Sequence, residues 1–165
     1  MEELVPITPF SFTKPLRNIR VHLDDTELIL DLIPEMISSE VFTPPEGTSA
    51  PVISIQVGAR EILEADSMLR LMLERIASVA ISDEFCDVHP VELETPLEHW
   101  PRIGDTKAVY PVLEVRNSKW HTGLPDYQGG GSDGGMTHYR IVSLTTQIDV
   151  NGCEPTGEWM NNPTR

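Results

Sequence analysis

The segment RNIRVHL at 17–23 alternates, with Ile19, Val21 and Leu23 on one face and Asn18, Arg20 and His22 on the other. That period of two marks a half-buried strand. Asp24 and Asp25 suit a turn, and TELILDLI resumes the alternation through Leu28, Leu30 and Leu32, so the two runs predict a β-hairpin. A helix over 26–37 competes, because Leu28, Leu32 and Met36 also keep helical spacing. Pro34 weighs against it and suits the first turn of a short helix over 34–40.

TPPEGTSAP at 43–51 is a loop by composition, and VISIQV at 52–57 reads as a strand closed by Gly58. The strongest periodic signal follows. Ile62, Ala65, Leu69, Met72, Ile76 and Val79 obey helical spacing and predict a long amphipathic helix over 60–80, with Arg70 and Glu74 as an i, i+4 pair on its polar side. Thr95 and Pro96 predict a single capped turn at 97–100. KAVYPVLEVRN at 107–117 is strand-like, its first half confined to an edge or bulge by Pro111. HYRIVSLTTQIDV at 138–150 is the longest strand candidate. Together these elements predict one α+β domain over 1–165. It has an antiparallel sheet (mixed if 52–85 makes a βαβ step), one long helix packed on a face, and a C-terminal hairpin with a long glycine-rich tip.

The chain of 165 residues is 39% apolar, enough for one core, and its fourteen prolines predict broken connections. No run approaches the ~20 apolar residues that span a bilayer. The opening MEELVPITPF is acidic where a secretory leader would be basic. Cys86 and Cys153 form no CxxC pair, which fits thiols of a reducing compartment. The expectation is a cytoplasmic protein that meets no membrane and needs no cofactor.

Charge changes the picture most. The net charge is −14, and its distribution is uneven. Between Arg20 and Arg60 stand seven acids and no Lys or Arg, among them Asp24, Asp25, Glu27, Asp31 and Glu35. Between Arg75 and Arg102 stand six more, Asp83, Glu84, Asp87, Glu92, Glu94 and Glu98, again with no Lys or Arg. Such runs repel nucleic acid and anionic membranes and attract a basic protein partner. Candidate partner-binding residues are therefore Asp24, Asp25, Asp83, Glu84, Asp87, Glu92 and Glu94.

DYQGGGSDGGMTHY at 126–139 holds five of the eleven glycines. It leads into a strand rather than a helix, and it lacks GK[ST], so it is no phosphate cradle. Glycine there serves as slack between strands. The shoulders of this loop carry more chemistry. Trp120 and Tyr127 suit a partner contact, and closing the hairpin brings His121 and His138 together, with Asp126 as a third metal-ligand candidate. No HExxH or DxDxDG pattern occurs.

Three functions follow, in order. The first is a non-enzymatic acidic module (inhibitor, immunity-type neutralising protein or nucleic-acid mimic) that meets a basic partner. The second is a small enzyme or ligand-binding domain with a His/Asp site near the glycine-rich loop. The third is an assembly subunit, which would form a homo-oligomer or a multimeric complex.

Overall fold

The computed structural model describes residues 1–7, 10, 12–24, 27–37, 62–83, 90–125 and 135–163. The described elements form two antiparallel sheets. The first has the order β1-β7-β8-β9-β6, built from β1 (Glu3–Pro6), β6 (Ser78–Asp83), β7 (Val112–Arg116), β8 (Thr137–Val142) and β9 (Thr146–Gly152). The second has the order β10-β5-β3-β2, from β2 (Leu16–Leu23), β3 (Glu27–Ile37), β5 (Ser67–Glu74) and β10 (Thr156–Asn161), with short β4 (Ile62–Glu64) paired to the end of β3.

The core lies between the sheets. Leu28, Leu30 and Leu32 of β3 and Leu69, Leu71 and Leu73 of β5 are fully buried, as are Val112, Ile141, Ile148 and Val150 from the first sheet. Each such side chain contributes roughly 1.5–3 kcal/mol relative to exposure. Phe10 and Phe12 fill the side near β10. A Cβ on Gly157 would sit 2.5 Å from the Phe10 ring, so only glycine lets the ring approach that strand.

The long helix over 60–80 is not there, and the α+β assignment falls with it. Among the described residues no helix reaches seven residues, the one α-helix being α1 (Lys119–Gly123). The stretch instead gives β4, β5 and β6. SMLRLMLE satisfies both periods, and the period of two wins. Leu71 and Leu73, off the helical stripe, are fully buried, while Met72, on it, is 37% exposed. Arg70 and Glu74 are accordingly not a helical pair. Arg70 stands opposite Asp31 on β3.

Four further expectations are corrected. The short helix at 34–40 gives way to β3, which runs on to Ile37. Pro34 is tolerated because it sits where the β2–β3 register slips, between Leu16 and Asn18. The strand proposed for 138–150 is two strands with a turn between, in which Ser143 Oγ accepts from the N–H groups of Thr145 and Thr146. The hairpin carrying the glycine-rich connection is β7–β8 and is not C-terminal, since β9 and β10 follow. The βαβ step through 52–85 lacks its helix, because 62–83 forms β4, β5 and β6 instead. The segments 43–51 and 52–57 lie outside the described residues, as do 126–134 of the glycine-rich stretch. The β2–β3 hairpin and a single 3-10 turn at Leu97–His99 form where the pattern placed them.

Candidate functional site

One face of β8 and β9 is polar at every position but Val142. His138 is in register with Asn151, Arg140 with Asp149, and Val142 with Gln147. The intervening Tyr139, Ile141, Ile148 and Val150 face the core. Residues before and after β7, among them Val91, Trp100 and Trp120, lie over the polar face. Val91 O accepts from Arg140 Nη2 at 2.6 Å, the guanidinium stacks 5.3 Å from the centre of the Trp100 ring, and Trp120 meets His138 edge-on at 4.8 Å.

Inside this layer Asp149 is the hub. Its Oδ1 accepts from Arg140 Nε and from His138 Nε2, both at 2.7 Å, and its Oδ2 accepts from Arg140 Nη2 at 3.0 Å and Gln147 Nε2 at 3.1 Å. With Nε2 donating to a carboxylate, Nδ1 of a neutral ring accepts from Ser118 Oγ at 2.7 Å. Ser118 also caps α1, accepting from His121 N at 3.1 Å, and His121 Nδ1 lies 2.7 Å from Asn151 Oδ1. His121 thus reaches Ser118 through its backbone N–H and Asn151 through its ring, whereas His138 reaches Ser118 through its ring.

The distances Ser118–His138–Asp149 match a nucleophile–base–carboxylate chain, yet the surroundings assign a different role. The side chains of His138, Asp149 and Arg140 are 0%, 2% and 3% exposed, and Ser118 is buried with them. Asp149 is already charge-balanced by Arg140. With every member buried and hydrogen-bonded, the cluster fastens the covering layer to the sheet. Glu2 adds a second fastening. Its buried carboxylate accepts from Glu94 N at 2.7 Å and Lys119 N at 2.8 Å, and its carbonyl accepts from Thr95 Oγ1 at 2.7 Å. Among the described residues no group of three or more His, Cys, Asp or Glu side chains is placed to hold a metal ion. A shallow depression of about 180 Å³, lined by Phe12, Lys14, Glu35 and Trp159 among others, lies apart on the second sheet.

The acidic candidates separate. Asp24, Asp83 and Glu92 are exposed. Glu94 is exposed but paired with Lys119, whose ammonium holds the carboxyl below its ordinary value. Trp120 is half-buried as a wall of the His138 cluster. Asp25, Glu84, Asp87, Asp126 and Tyr127 lie outside the described residues.

The outer face of the second sheet holds what sequence reasoning missed. Glu158, Arg70, Asp31 and Arg20 follow one another in register across β10, β5, β3 and β2, a row of alternating charge. Asp31 is 3% exposed and accepts from Arg70 at 2.8 and 3.0 Å. That pair of bonds outweighs burial and holds the Asp31 carboxyl below its ordinary value. Asp31 is therefore withdrawn from the negative surface. Two rows away the pattern breaks: Glu27 of β3 stands directly opposite Glu74 of β5. Both are exposed, and neither forms an ion pair among the described residues. Asp24, whose N–H donates to Glu27 O at 3.0 Å, lies beside them.

No helix among the described residues is long and apolar enough to cross a membrane. Comparison of the chain with family models, with curated proteins and with solved structures finds no match.

Proposed function

We propose that this chain is a non-enzymatic acidic module that binds a basic protein partner, with the Asp24, Glu27 and Glu74 end of the second sheet in the interface. One observation carries the reading. Like charges directly opposite one another on paired strands destabilise a sheet, and here the unpaired Glu27 and Glu74 keep that arrangement while the same two strands place Arg70 against Asp31 nearby. A basic partner would relieve the repulsion with its own Lys and Arg, so the cost borne by the free protein is recovered on binding. Long-range attraction from a surface of net charge −14 would also speed the encounter. The histidine-centred alternative has no comparable support, because both His138 nitrogens are spent on buried protein partners.

The test is retention of a native partner from lysate by wild type, by Glu27→Gln with Glu74→Gln, and by a control with Glu92→Gln and Glu98→Gln. The reading expects retention that thins with salt and is lost in the first variant but not in the control. Equal loss in both would reduce the effect to overall charge, and no loss in either would reject the reading.

A further inference from the structure

Between the acidic row and the alternating-charge row lies a third. His22, Ile29, Met72 and Thr156 are in register across β2, β3, β5 and β10. Ile29 is half-buried and Met72 is 37% exposed, so the centre of this row is an apolar strip open to solvent. The rows lie roughly 7 Å apart, two residues of strand rise, and neighbouring side chains within a row roughly 5 Å apart. Glu27 and Glu74 therefore flank the strip on one side at the spacing of adjacent side chains on one face of a helix or strand.

The charge on the other side of the strip differs. Arg70 and Asp31 neutralise one another there, and Arg20, next in that row, pairs with Glu64. A ligand with cations along one border and apolar groups along the other would thus seat in one orientation, its positive edge over Glu27 and Glu74. Methionine suits the centre of such a contact because its flexible, polarizable side chain adapts to the group it meets.

We infer that this face takes a basic amphipathic segment of the partner, with an apolar side chain on Met72 and Ile29 and Lys or Arg over Glu27 and Glu74. The inference rests on the proposed function and narrows it, from any basic surface to one with an apolar stripe beside its charge. A purely electrostatic contact would leave the strip wet; an amphipathic one dries it and adds a contribution that salt does not screen.

The experiment uses two synthetic leucine–lysine peptides of identical composition, one ordered to form an amphipathic helix and one scrambled. Each is titrated onto the full chain at roughly 50 and 300 mM salt. The ordered peptide is expected to bind about ten-fold tighter than the scrambled one. Met72→Ser, at an exposed position and checked for an unchanged melting profile, removes that advantage and leaves the weaker, salt-sensitive binding in place. Glu27→Gln with Glu74→Gln weakens both peptides and flattens the salt dependence. Equal binding of the two peptides, or an advantage that survives Met72→Ser, would overturn the inference while leaving the proposed function standing. Binding indifferent to Glu27→Gln with Glu74→Gln would take down both.

Discussion

Glu27 and Glu74 face each other across β3 and β5 with no ion-pair partner among the described residues, two rows from the Asp31–Arg70 pair that the same strands bring together at 2.8 Å. The free protein carries this repulsion. Glu27→Gln with Glu74→Gln removes it while keeping size and strand geometry, so thermal unfolding should move up by about 1–3 °C. A lower melting temperature would mean that these carboxylates hold something together that the described contacts do not include.

Asp31 is a buried carboxylate stabilised by a partly exposed arginine. Asp31→Asn should cost about 1.5–3 kcal/mol at neutral pH. The folded-state carboxyl is held below its ordinary value by Arg70, so its contribution is present above the unfolded value of about 3.9 and is lost as the pH falls through the lower folded value. Urea unfolding of wild type and Asp31→Asn should therefore differ clearly at pH 7 and converge in strong acid. A gap independent of pH would assign the effect to packing.

The Arg140–Asp149 pair is fully buried, and its partners cannot be separated cheaply. Arg140→Met alone leaves Asp149 without its bidentate partner and should cost about 3–5 kcal/mol, whereas Arg140→Met with Asp149→Leu should lie closer to wild type than either single change. Equilibrium unfolding of the four proteins closes the cycle. Additive losses would contradict the coupling.

Glu2 ties the chain's second residue to the backbone at Glu94 and Lys119. Glu2→Ala should raise amide hydrogen exchange at those two positions and through α1, with the β3 and β5 amides unchanged. Uniform exchange across both groups would show that the covering layer and the sheets open as one unit.

The same residues explain what could and could not be read in advance. RNIRVHL carries one period only, and β2 formed there. SMLRLMLE carries two, and its flanks hide the ends: the turn after Glu74 is made by Arg75 at φ 51°, an ordinary-looking residue where glycine or asparagine would have announced a turn. Likewise the β8–β9 turn relies on Ser143 hydroxyl bonds rather than on Gly or Pro, so 138–150 read as one strand. His138 was legible as a candidate from its place beside the glycine-rich stretch. Arg140, Asp149 and Asn151 were signalled by the alternation of polar residues within apolar strands, which marks a second face to be covered. The Glu27–Glu74 opposition was beyond reach, because it depends on which strand neighbours β3.

Stability and partner affinity, measured on the same purified Glu27→Gln, Glu74→Gln protein, decide whether the opposed carboxylates serve recognition. The two should move in opposite directions: a melting temperature at or above that of wild type, together with weaker and less salt-sensitive binding of the basic partner. Unchanged affinity would show that the like-charge pair has no role in recognition, and the acidic face would then serve solubility alone.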